Sequence, residues 1–583
     1  MSSMNVALSL AVGLLLLVGC DGDGGTDAGR DAGASDAGGG DAGPSDAGVD
    51  AGPPFMPDSY CPGPADCPSG DDGTFSVGAA RRAITPVIDA MTDVVTLDVD
   101  GDGEFEPGEG DQFADNDGVP GFQGVWMAGF GNARPATGVH DELYASAVVL
   151  ENGDTTIAFV SLDVIGWFKP DMDDIRERVA DLGIDHIAIG ATHTHQGRDT
   201  IGIWGLTSMM SGLDPAYNER VRAEAAQAIR DAFAGPRRAH VQVASTDLRD
   251  IEGGLSRLVG DNRDPNIVDP EMRMMRFIDA SDDSTIATLV NFGAHAEYMD
   301  DQNTLLSSDW PHYFRQGVES GVIGPDGSST AGVGGITVFM QSAIGGQIGP
   351  NHITVRSWDG TELIQRDDVY LYTQTVGEQL AYHALTALGP TGGSTTQMNA
   401  ALGYRTRTFN VLVENAQFHI AIALGLFDRE GVDWDPDMPL VVGENQPSLD
   451  VEVTVIDVGD VQMITAPGEL EPELFLGGYD GSYTPSGMDI VDPTNPNPPM
   501  LDDAPPGPYL RDLARSDAES VWLLGLTNDY LGYLMDSYNF VVDEASPYIV
   551  EADGDHYEET NSVGAMTWPT IHHELEQLLG WTP

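Results

Sequence analysis

Residues 155–197 constrain the fold of this 583-residue chain more than any other stretch. TTIAFVSLDVIGW (155–167) is an apolar run that predicts a strand. PDMDDIRERVADLG (170–183), with Pro at its start and Gly at its end, predicts a helix. IDHIAIGATHTHQG (184–197) predicts a second strand. Strand, helix and strand in that order form a βαβ unit, the signature of a partly parallel sheet. The same reading predicts helices at 215–235 and 369–389, strands at 240–246, 272–280, 285–295 and 520–529, and a terminal helix at 571–580. A hairpin spans 449–469, its second strand running into a Pro-Gly turn. No internal repeat and no second linker divide the chain after residue 74. The expected fold is therefore α/β, a single large mixed-sheet catalytic domain over 73–583 with helices flanking the sheet.

The N-terminus reads as an address. The apolar run 6–19 is shorter than the roughly 18–20 residues a spanning helix needs. It ends in Leu17-Val18-Gly19-Cys20, which resembles a bacterial lipobox, so residues 1–20 are expected to be a lipoprotein signal peptide with Cys20 as the lipidated residue. The lack of Lys and Arg before the run is atypical, and an ordinary signal peptide with an incidental Cys is the alternative. Residues 21–72 follow as a disordered Asp/Ala/Gly-rich tether, too poor in apolar residues to fold. Cys61 and Cys67 lie close enough in sequence to form a small disulfide in an oxidising compartment. No Cys follows Cys67, which argues against thiolate catalysis. The place expected for such a chain is a bacterial cell envelope, lipid-anchored, in the periplasm or at the cell surface.

Charge excludes one class of partner. The formal net charge is −67, and residues 21–59 contribute only nine Asp and one Arg to it, so the acidity belongs to the body. Nucleic acid needs a basic face, and an anionic membrane surface repels this one. Part of the acidity has a pattern. Asp98, Asp100, Asp102, Gly103, Glu104 and Glu109 fit the calcium loop D-x-D-x-D-G-x5-E, with Glu104 offering its backbone carbonyl. The flanks do not read as helices, so a calcium loop on another scaffold is expected within an insertion at about 93–118. An acidic surface loop without an ion is the plainer alternative. Asp115-Asn116-Asp117-Gly118 adds further ligands or is only a turn.

Histidine is scarce, 13 in the chain, so its placement is informative. His193 and His195 stand in ATHTHQG at the end of a predicted strand, where i and i+2 share a face. His295 ends the strand NFGAH, and Glu469 follows the Pro-Gly turn. Strand ends that bring two His and a carboxylate together would make a zinc site with an open position.

The ordered series VGAARRAITP, GFGNARPATGVHDELYASAVVL, FVSLDVI, ATHTHQG, NFGAH, APGEL, GLTNDYLGYL and DHYEETNSVG resembles the neutral/alkaline (non-lysosomal) ceramidase family from about residue 75 onward. The resemblance implies zinc held by His193, His295, Glu469 and Tyr533, with His195 beside the reacting carbonyl and Tyr557 in the H-Y-E segment. It also implies a substrate-contacting arginine, either Arg257 or Arg263. The sequence departs from the family at Gly349, which stands where the family has Ser in G-D-x-S-P-N, and Ser342 is a poor substitute. It also stops soon after H-Y-E, without the C-terminal immunoglobulin-like domain of long members.

The implied activity is hydrolysis of the amide bond of ceramide or another N-acyl lipid, with zinc as cofactor and calcium in a structural role. Zinc lowers the pKa of bound water and polarises a carbonyl. His195, Tyr557 and an arginine would donate to the developing oxyanion. The proton acceptor stays open between Glu469 and His195. Two alternatives remain: the same frame acting on another acyl ester or amide, and a non-catalytic, calcium-stabilised surface binding protein.

Overall fold

A computed structural model describes residues 55–583 apart from 66, 252–253, 351–352, 359–361, 555 and 583. The signal, Cys20 and the tether as far as residue 54 lie outside the described residues. The folded unit runs from Pro57 to Pro583.

Its large sheet has nine strands. In chain order eight of them are β1 (Ser76–Ala83), β2 (Tyr144–Asn152), β3 (Thr155–Leu162), β4 (His186–Ala191), β5 (Arg237–Asp247), β6 (Glu271–Asp279), β7 (Thr285–Phe292) and β8 (Ile336–Gln341). They lie in the order β8-β7-β6-β5-β1-β2-β3-β4, and Thr395–Gln397 pairs with β5 as the ninth. Pairing is antiparallel except at the two ends, where β7 with β8 and β3 with β4 are parallel. A second sheet holds Ser59–Cys61, β9 (Leu402–Leu412), β10 (Ser448–Val458), β11 (Val461–Thr465) and β12 (Ser520–Leu524) in that order. Its β11–β12 pair is again parallel.

The mixed α/β class expected from sequence is present, with one refinement. There are two sheets, and the helices cover only their outer faces. Val148, Phe159, Met275, Leu289 and Met340 of the large sheet meet Leu402, Ile456, Met463 and Trp522 of the small one in a shared core. α1 (Lys169–Arg178) and α2 (Pro215–Phe233) pack on one half of the large sheet's other face. α3 (Trp310–Ser320) and α4 (Val369–Leu388) pack on the other half. α5 (Thr567–Gly580) lies against β9 and β10. Covering both faces explains why β4 and β7 read as unbroken buried runs rather than alternating ones. The sequence punctuation read for α1 is present, with Pro at its start and Gly183, at φ +68°, closing the turn after it; Asp214 caps α2 through Ala216 N.

The tether boundary at residue 72 needs correction. Ser59–Cys61 pairs with Tyr404–Thr406 of β9 as an edge strand, and Cys61 and Cys67 are joined by a disulfide and buried. A Pro/Gly-rich stretch that looks like linker is thus fastened to the small sheet. No helix among the described residues is long and apolar enough to cross a membrane.

Candidate metal centre

The functional side chains arise at the C-terminal ends of strands from the parallel pairs, the place where open α/β sheets hold their ligands. His193 and His195 follow β4, His295 follows β7, Glu469 follows β11, and Tyr530 and Tyr533 follow β12. Short bridges stitch these ends together. Thr194 bridges Ala296 in parallel, His195 N donates to Ala296 O at 2.9 Å, and Glu469 sits in register with Tyr533.

The two imidazoles of THTH do converge, with ring centroids 4.9 Å apart, but not by strand alternation. β4 ends at Ala191, and His193 adopts φ +62°. Such a backbone is costly for a residue with a side chain and clusters at functional sites. It is held by His193 N donating to Val164 O at 3.0 Å and by the ring itself.

The ring contacts assign the tautomers. His193 Nδ1 lies 2.6 Å from Ile165 O, and His295 Nδ1 lies 3.1 Å from Gln347 O. A carbonyl only accepts, so each Nδ1 carries a proton, and in the neutral imidazole each Nε2 is then the free ligand atom. Those two Nε2 atoms stand 3.4 Å and 3.1 Å from the same oxygen, Glu469 Oε2. Glu469 Oε1 accepts from the Tyr530 hydroxyl at 2.8 Å. Two imidazole Nε2 atoms and a carboxylate oxygen thus meet in a buried space. Ring nitrogens of His193, His195 and His295 also lie within 4.8 Å of one another. This convergence of acceptors fits a cation, and the mix of imidazole and carboxylate fits zinc.

Electrostatics follow from that geometry. Burial holds His193 down at about 4, against the pull of Glu469. Burial alone would raise Glu469, but the histidines and the Tyr530 hydroxyl outweigh it and bring the carboxyl to about 2. Glu469 is therefore a charged acceptor. Tyr530 and Tyr533 stay phenols, since burial and the Glu469 charge both push them up.

Sequence reasoning singled out Tyr533 and passed over Tyr530, whose hydroxyl is the one on Glu469. Both lie in NDYLGY, and only their placement separates them. Tyr533 is buried with its ring 6.1 Å from that of Tyr557, and Tyr557 is 38% exposed. Neither candidate arginine is placed as an oxyanion donor by its contacts. Arg263 donates to Glu558 at 2.9 Å, Glu559 at 2.8 Å and Asn539 O at 2.7 Å, so its fork clamps the short helix Tyr557–Thr560 from beneath. Arg257 donates to Gln379 Oε1 at 3.0 Å and Arg356 O at 3.3 Å, against α4. Ser342 lies 3.4 Å from Asp269 Oδ2. A Cβ on Gly349 would lie 2.6 Å from the buried Tyr298 ring, so a serine does not fit there without movement. Asn351, the last residue of that segment, lies outside the described residues.

The acidic loop sits between two antiparallel strands, Val94–Leu97 and Gln112–Ala114, instead of helices. Asp98, Asp100 and Asp102 place oxygens within 4.8 Å of one another, and Asp100, Glu106 and Glu109 form a second such group. Glu109 thus joins Asp100 and Glu106, rather than completing one ring with Asp98 and Asp102. Gly103 takes φ +84°, and Glu104 N donates to Asp102 Oδ1 at 2.9 Å.

Residues 114–367 match the family model described as neutral/alkaline non-lysosomal ceramidase, N-terminal. Over this stretch the chain is similar to the neutral ceramidase family. It contains all three histidines of the cluster, while Glu469, Tyr530, Tyr533 and Tyr557 lie beyond it. The fold resembles the crystal structure of neutral ceramidase from Pseudomonas aeruginosa, with a TM-score of 0.56 and 16% identity over 87% of this chain and 74% of that one. It also resembles a ceramidase complexed with C2, with a TM-score of 0.55 and 14% identity over 87% of this chain and 75% of that one. At such identities the likeness is one of ceramidase fold. No curated protein matches the sequence.

Proposed function

We propose that the chain is a zinc-dependent hydrolase that cleaves the amide bond of ceramide or another N-acyl lipid, with water as the nucleophile. The observation that carries this reading is the meeting of His193 Nε2, His295 Nε2 and Glu469 Oε2 in one buried space. Zinc held there supplies Lewis acidity toward an acyl carbonyl and makes water acidic near neutral pH. The chain's own groups do the rest. Ile165 O and Gln347 O fix the two imidazoles, and the Tyr530 hydroxyl occupies Glu469 Oε1 so that Oε2 faces the ion. The partly exposed Tyr557 phenol is a donor suited to a developing oxyanion.

A lipid amide substrate is supported by the match to the neutral ceramidase family model and by the ceramidase fold. Beside the centre, Tyr530 also lines a small pocket with Phe168, Ile201 and Phe427. The test is metal content together with a panel of N-acyl sphingoids and acyl esters. One zinc per chain and release of fatty acid from the amides are expected. A zinc-loaded protein that cleaves no N-acyl lipid overturns the reading, and cleavage of esters alone would assign the frame to another bond.

The same proposal places calcium at Asp98, Asp100 and Asp102 as a structural ion, and places the protein on a bacterial envelope by a lipid on Cys20. Detergent-phase partitioning that persists in Cys20→Ala would remove the anchor.

A further inference from the structure

All three histidines of the centre are approached at Nδ1 by an oxygen, but the oxygens differ in kind. His193 meets a backbone carbonyl and His295 meets another. His195 Nδ1 meets a side-chain carboxyl, Glu297 Oε2, at 3.1 Å. Both partners are buried, at 8% and 4% exposure. The contact lies off the line of a hydrogen bond, and both ring nitrogens of His195 and Glu297 Oε1 are left with none. A buried polar cluster in that condition is costly, and closing the contact needs only a small ring rotation. Catalytic hydrogen bonds are often misaligned in this way before substrate arrives.

The pairing is built into the backbone. The Thr194–Ala296 bridge and the His195 N to Ala296 O bond set the two chains side by side, so position 195 falls next to position 297. The ring is then caged. Phe130 packs edge-on at 5.1 Å, and a Cβ on Gly129 would lie 2.3 Å from the ring. Arg134 donates to the backbone oxygens of Ala128 and His195 and stacks over Phe130. Such a cage leaves the ring little freedom except about its own axis.

We infer that Glu297 is a positioning residue whose carboxyl pairs with Nδ1 of His195, orients the ring and fixes it in a single tautomer. A carboxylate behind a histidine is the arrangement that orients the ring and supports its work as a ligand or base. Glu297 lies two residues past His295, in no motif that the sequence offered.

The test compares Glu297→Leu, which removes the acceptor at similar volume, with Glu297→Gln, which keeps an accepting oxygen. In metal-free protein labelled with 15N-histidine, the ring nitrogens of His195 are assigned against His195→Gln. A single tautomer is expected in the wild type and in Glu297→Gln, and a mixture in Glu297→Leu. In zinc-loaded protein with a short-chain N-acyl sphingoid as probe, kcat per bound zinc should fall about 10- to 100-fold in Glu297→Leu. KM should stay within about twofold, and Glu297→Gln should recover most of the loss. An unchanged tautomer in Glu297→Leu, or an unchanged kcat, overturns the inference. The kinetic arm rests on the hydrolase reading and the tautomer arm does not. A wild type that cleaves no N-acyl lipid therefore sinks that reading alone.

Discussion

The histidine centre and the acidic loop are both candidate cation sites, and they are built in opposite ways. In the loop the carboxylates are already bonded: Asp98 accepts from Gly101 N at 2.7 Å and Gly103 N at 3.0 Å, and Asp111 accepts from Val99 N and Glu106 N. Those bonds hold the turn with or without an ion. In the centre His193 and His295 are bonded to the backbone on the far side of their rings, and their Nε2 atoms meet one carboxylate oxygen on the near side. The loop's carboxylates are held by its own amides, whereas the centre's ligand atoms converge on one point. The lesson is that crowded acids are weak evidence of a metal, and converging acceptors with fixed tautomers are stronger evidence.

The sharpest break of that comparison is His193→Ala. It should abolish zinc binding and lower hydrolysis at least about 10^3-fold, measured by metal content and fatty-acid release. The matching chelation experiment should separate the two sites: after removal of all metal, zinc alone restores turnover and calcium alone restores only the melting temperature. Turnover restored by calcium alone would merge the two regions into one.

Between the extremes lies Glu559, whose buried carboxylate has full partners. Burial would raise it, but Arg263 and His556 outweigh that and hold it at about 2, below its ordinary 4.5. A depressed folded value means stability fully present above about pH 4.5 and lost as pH falls toward 2. The contribution is about 3 kcal/mol at most. Glu559→Gln should therefore flatten the acid limb of a denaturation profile between those pH values, and an unaltered limb would show that the clamp contributes nothing.

The smallest effect is expected in the loop. Asp98→Ala should cost about 1–2 kcal/mol through the lost amide bonds and remove any calcium-dependent rise in melting temperature. Its kcat should stay within about twofold of the wild type. A large loss of kcat would show that the loop belongs to the catalytic machinery.

The βαβ unit, the strand ends at His193 and His295, and the Pro-Gly turn before Glu469 were legible in sequence, because apolar runs and turn residues are local signals. The selection of these residues as one set came from the ordered resemblance. What stayed hidden was non-local. Two sheets cannot be told from one by periodicity, since pairing partners leave no mark in a strand's own pattern. Tyr530 and Tyr533 differ only in where the backbone carries them. Glu297 becomes meaningful only through the Thr194–Ala296 bridge. Ser59–Cys61 looked like linker because its order comes from β9 and a disulfide rather than from its own composition.

The close approach of Gly349 to Tyr298 carries a consequence for how this site can change. The Tyr298 ring is fully buried and its hydroxyl is tied to Leu258 O at 2.6 Å, so it has little room to yield. A mutation that placed serine at 349 would meet that ring before it gained any chemistry. A serine at 349 therefore requires the Tyr298 ring to shift, which couples the two positions.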